Sequence, residues 1–132
     1  MLELGMRGEL RATVDFSMTA AAIGSGSVEV LSTPYMIGMM EMAAIRAISG
    51  GLEPGQASVG TVVNVRHLAA TPIGFEVTAR AQLLEIDGRR LVFGVEAFDQ
   101  SEQVGEGRHE RFLIDFDRFM ARALAKQRSS AG

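Results

Sequence analysis

The chain has 132 residues, 47% hydrophobic and 22% charged, with a formal net charge of −3, which fits one globular domain (residues 1–132) and excludes a disordered tail or a fibrous repeat. It holds no cysteine, which removes disulfides, thiolate catalysis, Cys-ligated zinc and iron–sulfur clusters and makes the cytoplasm the expected compartment. No basic run exceeds Arg89-Arg90 and the apolar stretch Pro34 to Ile45 is interrupted by Glu41, so neither a nucleic-acid footprint nor a membrane span of roughly 20 residues is expected.

The start, Met1 to Arg7, lacks the cationic and apolar regions of a secretory signal. Glu9 to Phe16 alternates well enough for an edge strand, and Gly24-Ser25-Gly26-Ser27 reads as a loop. Ser32 and Thr33 are placed to cap a helix that opens at Pro34, where proline's fixed φ suits the first turn. That helix is expected to run to about Ser49, stopped by Gly50-Gly51 and the turn at Pro54-Gly55. Four β-rich runs follow, Gln56 to Ala70, Phe75 to Ile86, Arg89 to Asp99 and Glu102 to Asp115, separated by short turn signals, and they read as antiparallel hairpins in a meander. From about Asp115 to Gln127, Phe116, Phe119, Met120, Ala123 and Leu124 recur at helical spacing, and Arg128 to Gly132 reads as a frayed end.

The first long helix carries apolar residues on almost every side, with Met36, Met39, Met40, Ala43 and Ala47 on one stripe and Ile37, Ala44, Ile45 and Ile48 on another, so it must be buried. A buried helix, a strand before it and four antiparallel strands after it form an α+β arrangement, the hotdog fold: a curved antiparallel sheet wrapped around a central helix, here with a C-terminal helix. Open sheet edges favour pairing of two chains, so a homodimer, or a dimer of dimers, is expected.

Between Pro34 and Ser49 the charges are Glu41 and Arg46, and Glu41 lies among the isoleucines, an expensive place for a carboxylate without a partner. His67 alternates onto the face of Thr61, Val63 and Val65, the apolar face of its strand. It reads either as a core-edge histidine held by a carbonyl or, facing Glu41, as half of an acid/base pair; an ordinary salt bridge is the plain alternative. Thr33 is a cap whose hydroxyl also lies where a helix N-terminus favours negative charge, including a developing oxyanion. Thr33 and Glu41 are separated by about 12 Å of helix rise, so one reacting atom meets both only with help, such as from a partner subunit. Arg111 shares a face with Gly105, Gly107 and His109, where the glycines leave room for a ligand; a solvated surface charge is its commoner role, and His109 reads as structural or exposed. No nucleotide, dinucleotide, zinc-protease or serine-hydrolase motif is present, and nothing in the spacing of His67, Glu41 and any Asp argues for a metal, so no cofactor is expected.

Several blocks together carry a resemblance: Thr33-Pro34-Tyr35-Met36-Ile37-Gly38-Met39-Met40-Glu41-Met42-Ala43, Leu52-Glu53-Pro54-Gly55, Ser58-Val59-Gly60-Thr61, His67-Leu68-Ala69-Ala70-Thr71-Pro72, Asp87-Gly88-Arg89-Arg90-Leu91 and Gly107-Arg108-His109-Glu110-Arg111. In order and spacing the chain resembles the hotdog-fold thioesterases related to fluoroacetyl-CoA thioesterase. The resemblance implies a dimeric enzyme that hydrolyses a short-chain acyl-CoA, with catalytic roles on Thr33, Glu41 and His67 and with Gly60 and Arg111 at the acyl pocket. It also shows departures: Gly24-Ser25-Gly26-Ser27 stands where the fluoroacetyl-specific type has bulky aromatics, and Met42 replaces the aromatic after the glutamate, which implies a less tightly lidded acyl pocket. The rival readings are an acyl-CoA hydratase or dehydratase on the same fold, and a non-catalytic acyl-CoA-binding module.

Overall fold

A computed structural model describes residues 1–131, with the side chains of 129–131 and all of residue 132 outside the description. Strand β1 spans Arg7–Thr13, a short helical turn α1 spans Ala20–Ile23, and the long helix α2 spans Thr33–Ile48. Strands β2 (Gln56–His67), β3 (Glu76–Asp87), β4 (Arg90–Asp99) and β5 (Gln103–Asp115) follow, and α3 (Phe116–Ala131) closes the chain. The α3 backbone is helical through Ala131, past Arg128, from which the sequence reads as a frayed end; Gly132 lies outside the described residues.

All strands join one antiparallel sheet in the order β1-β3-β4-β5-β2. This corrects the simple meander. β3, β4 and β5 are hairpin neighbours, but β2 crosses to the far edge and pairs with β5, from Gln56 opposite Asp115 to His67 opposite Gly105. Thr71 to Gly74 is therefore a crossing segment and not a hairpin turn. It is held by the Leu31 N–H donating to the Thr71 carbonyl (2.9 Å), a bridge between Val30 and Pro72, and the buried Thr71 hydroxyl donating to Asp99 Oδ2 (3.0 Å).

α2 lies in the concavity of this sheet, chiefly over β1 and β3. Its buried side is Met36, Met39, Met40, Ala43, Ala44, Ala47 and Ile48, packed with Val77, Ala79, Ala81, Leu83, Leu91, Phe93 and Val95 from the sheet. The alanines bring the helix backbone close to β1: a Cβ at Gly8 would collide with the Ala43 carbonyl and the Ala47 backbone. The helix is not enclosed on every side, because Tyr35, Met42 and Ile45 are exposed. At its start Ser32 is the cap, its hydroxyl accepting from the Tyr35 N–H at 3.1 Å. Thr33 is the first helical residue and its side chain is left for another purpose.

Candidate active site

Two groups of polar side chains lie along α2. The first is at its N-terminal turn, where Thr33 Oγ1 and His67 Nδ1 are 2.7 Å apart. His67 is the last residue of β2, half-buried, and its other nitrogen, Nε2, is out of contact with solvent and without a hydrogen-bond partner. Burial lowers the His67 pKa below the ordinary 6.5, with a backbone group of Ala69 pulling the other way. The ring is therefore neutral at pH 7, with one nitrogen bonded to Thr33 and the other unpaired and shielded from solvent within the single chain.

The second group lies two helical turns further on. Arg111 of β5 is 4% exposed. Its Nε donates to Ser58 Oγ (2.8 Å), its Nη2 to the Ser58 carbonyl (3.0 Å) and its Nη1 to His109 Nε2 (3.0 Å). The same Nη1 is 3.5 Å from Glu41 Oε2. Burial lowers the Arg111 pKa from its usual value and Glu41 raises it, so Glu41 is the counter-charge that keeps this buried guanidinium charged. The surface-charge alternative for Arg111 does not hold: it is buried, because β5 is an interior strand and Arg111 is on the face turned to the helix.

His109 is 1% exposed, and its Nδ1 is 2.9 Å from the Val62 carbonyl. A carbonyl only accepts and a guanidinium only donates, so both bonds are made together by the neutral ring with its proton on Nδ1. Burial first, then the Arg111 charge, lowers the His109 pKa against the opposing pull of the Val62 carbonyl, Glu41 and Glu110. The exposed alternative for this histidine does not hold.

Gly60 sits in the middle of this group. A Cβ there would fall 2.8 Å from Glu41 Oε2, 3.2 Å from His109 Cε1 and 3.3 Å from Arg111 Nη1, so the missing side chain lets the strand close over the charged cluster. A β-bulge explains how Gly60 faces it. The register of β2 on β5 slips between Gly60 and Val62, so Thr61 is the extra residue and Gly60, Val63, Val65 and His67 share one face, opposite Arg111, His109, Gly107 and Gly105. Strict alternation, which grouped Thr61 with His67, misses this.

The expected pairing of Glu41 with His67 is corrected as well. Among the described residues Glu41 pairs with Arg111 and His67 with Thr33, and no hydrogen bond or ion pair joins the two groups within one chain. Nor is Glu41 sequestered in apolar surroundings: its side chain is 38% exposed, because position 41 lies on the helix between the buried Met40 side and the exposed Met42 side. Ser58 and His109, which fix Arg111, were not singled out as functional; the shared face of His109 and Arg111 was the one signal for them. Among the described residues no group of three His, Asp or Glu side chains is gathered as for a metal ion, and no helix is long and apolar enough to cross a membrane.

The whole frame has close relatives of known structure. A fluoroacetyl-CoA thioesterase superposes with a TM-score of 0.88 at 36% identity, covering 96% of this chain and 98% of that one. A thioesterase superfamily member from Thermus thermophilus gives 0.88 at 28% identity, over 98% and 97% of the two chains. A central helix in an antiparallel sheet with these polar groups along it thus defines a hotdog-fold thioesterase. Residues 14–117 match the family described as fluoroacetyl-CoA-specific thioesterase. The fluoroacetyl-CoA thioesterase of Streptantibioticus cattleyicolor is 44% identical over 104 residues, 79% of this chain and 73% of that protein. The chain belongs to the fluoroacetyl-CoA-specific thioesterase family.

Proposed function

We propose that this protein hydrolyses short-chain acyl-CoA thioesters to the free acid and CoA, with Glu41, His67 and Thr33 as the catalytic groups and Gly60 and Arg111 lining the acyl site. The observation that carries the assignment is the carboxylate of Glu41, half-exposed and held at 3.5 Å by a buried arginine beside a glycine. A carboxylate so fixed is aimed and still accessible. It takes the proton of a water that attacks the thioester carbonyl; the carbon–sulfur bond then breaks and the proton passes to the departing thiolate. Direct attack by Glu41, with an acyl-glutamyl intermediate that water opens, uses the same placement. The free Nε2 of His67 hydrogen-bonds to the reacting group, while Thr33 fixes the ring and the start of α2 favours the developing negative charge.

The site is assembled from two copies of the chain. Within one copy Thr33 and Glu41 are about 12 Å apart along the helix, too far for one reacting carbon. β2 is an edge strand with Val62 and Val63 exposed at 42% and 43%, a template for pairing with a second copy. A homodimer built on that edge sets Glu41 of one chain toward the Thr33–His67 pair of the other. Lack of cysteine and a CoA ester substrate fit a cytoplasmic location. Gly24 to Ser27 carries no aromatic ring, which favours acceptance of acetyl, haloacetyl and branched acyl groups over selection of one.

Thiol release over a panel of such CoA esters, with crotonyl-CoA followed for loss of enoyl absorbance, tests the activity. Hydrolysis of at least one ester with no hydration is expected; hydration without thiol release overturns the reading. Mixing Glu41→Gln and His67→Ala chains tests the shared site. A hybrid dimer regains one intact site if the groups come from different copies and none if they come from one.

A further inference from the structure

We propose that His109 is a positioning residue for the thioesterase reaction: a buried, neutral imidazole that orients Arg111 and, through it, the Glu41 carboxylate. The inference rests on the proposed role of Glu41 and goes one step behind it.

The geometry leaves the ring little choice. The Val62 carbonyl at 2.9 Å fixes the proton on Nδ1, and the lone pair on Nε2 then accepts from Arg111 Nη1 at 3.0 Å. Phe93, itself fully buried, stacks against the ring with centroids 6.2 Å apart and planes 30° from parallel. Gly60 closes over its Cε1 edge. The ring therefore neither rotates nor changes tautomer without losing a bond in a dry place, where an unmade bond is expensive. Ser58 grips the opposite edge of the same guanidinium through its hydroxyl and its carbonyl. Between these two grips Nη1 has one direction left, toward Glu41 Oε2. Arg111 is thereby a fixed charge and not a mobile one. A core leucine would fill the ring's space without supplying the acceptor, leaving Ser58 alone to hold the plane of the guanidinium toward the carboxylate.

The groups facing His109 are Arg111 on its own strand, Glu41 from α2, the Val62 carbonyl from β2, Phe93 from β4, and Glu110, which acts on it from the neighbouring position. A second positive charge on the ring would stand against Arg111 and use the lone pair that Arg111 needs. The arrangement works with His109 neutral.

Two substitutions separate positioning from packing. In His109→Gln the amide oxygen reaches the place of Nε2 and still accepts from Arg111; in His109→Asn the shorter amide reaches only the Val62 carbonyl. For the best acyl-CoA ester, kcat should stay within roughly 3-fold of wild type in the glutamine variant and fall roughly 10- to 100-fold in the asparagine variant, the range for a catalytic group displaced by about an ångström. KM should change little in either. The loss should not add to that of Arg111→Lys, so the double variant should be no slower than Arg111→Lys alone within about 2-fold. If His109→Asn does not fold, Ser58→Ala, which removes the hydroxyl half of the other grip and keeps the carbonyl half, should lower kcat in the same direction. Losses of kcat that simply follow Tm across the variants, or that multiply with Arg111→Lys, overturn the proposal. Glu41→Gln is run alongside: an inactive Glu41→Gln with a fully active His109→Asn refutes the positioning role alone, whereas an active Glu41→Gln refutes the assignment of Glu41 itself.

Discussion

The two polar groups along α2 are built on opposite plans. At the N-terminal turn an exposed threonine and a half-buried histidine share a single hydrogen bond, and the remaining ring nitrogen is unpartnered. Two turns on, Glu41 is tied to an arginine that is itself gripped by Ser58 and His109. One is sparse and keeps a nitrogen uncommitted; the other is over-determined and keeps a charge in place. The proposed mechanism uses both, since attack on a carbonyl requires a fixed base while the leaving sulfur requires a donor that can engage it.

The sharpest way to break the comparison is at the carboxylate. Glu41→Gln keeps the shape and the contact with Arg111 but cannot accept a proton or attack, so kcat should drop by roughly 10³-fold, within the range for loss of a general base, with KM nearly unchanged. Steady-state thiol release reads this directly. Retained turnover would make the Glu41–Arg111 pair a purely structural salt bridge.

The sparse end should respond in two grades. His67→Ala removes the free nitrogen and should lower kcat by roughly 10²-fold. Thr33→Val removes only the anchor of the ring and should lower it by roughly 10-fold. Because Ser32 and not Thr33 caps α2, Thr33→Val should leave Tm almost unaltered, whereas Ser32→Ala should lower stability by about 1 kcal/mol. The opposite pattern, with Thr33 governing Tm and Ser32 neutral, would return Thr33 to a capping role.

Gly60 tests the crowded end without removing a polar group. An added methyl at 2.8 Å from Glu41 Oε2 must push the carboxylate, so Gly60→Ala should reduce kcat by about 10-fold. Its effect should be larger on bulkier acyl groups, if the acyl chain runs past this glycine. An alanine variant with the wild-type acyl profile would place the acyl pocket elsewhere.

Much of the frame was legible in the sequence because the signals were local. Gly50-Gly51 ends the helix where expected, and the β-rich runs become β2 to β5 with small shifts of their ends. Strand order was not legible. A hairpin signal says which runs are neighbours in sequence, and nothing in Thr71 to Gly74 says that β2 leaves for the far edge. The site followed the same division. Alternation set Arg111 and His109 on one face, but their burial depends on β5 being an interior strand, which is a property of the order. The bulge at Thr61, which turns Gly60 inward, is a single unpaired residue with no signature in the pattern. Glu41 was picked out by its chemistry among apolar neighbours; that its partner within one chain is Arg111 and not His67 was not legible, because helix periodicity gives a direction and not a distance.

The mildest effect separates the two regions by pH. Both His67 and His109 have folded-state pKa values below the unfolded 6.5, burial being the leading cause in each. Between the folded value and 6.5 the unfolded chain binds a proton that the native chain refuses, so stability rises with pH across that window and is lost as pH falls from about 6.5 through the folded values. Tm measured from pH 7.5 down to 5.5 should therefore decline with acid in the wild type. His67→Gln and His109→Gln should each flatten part of that slope whatever they do to Tm at pH 7.5. The larger flattening should come from His109, since its charged form would face the buried Arg111 while itself almost fully buried, whereas His67 is only half-buried. If neither variant changes the slope, carboxylates set the acid response and the histidines do not distinguish the two ends of the helix.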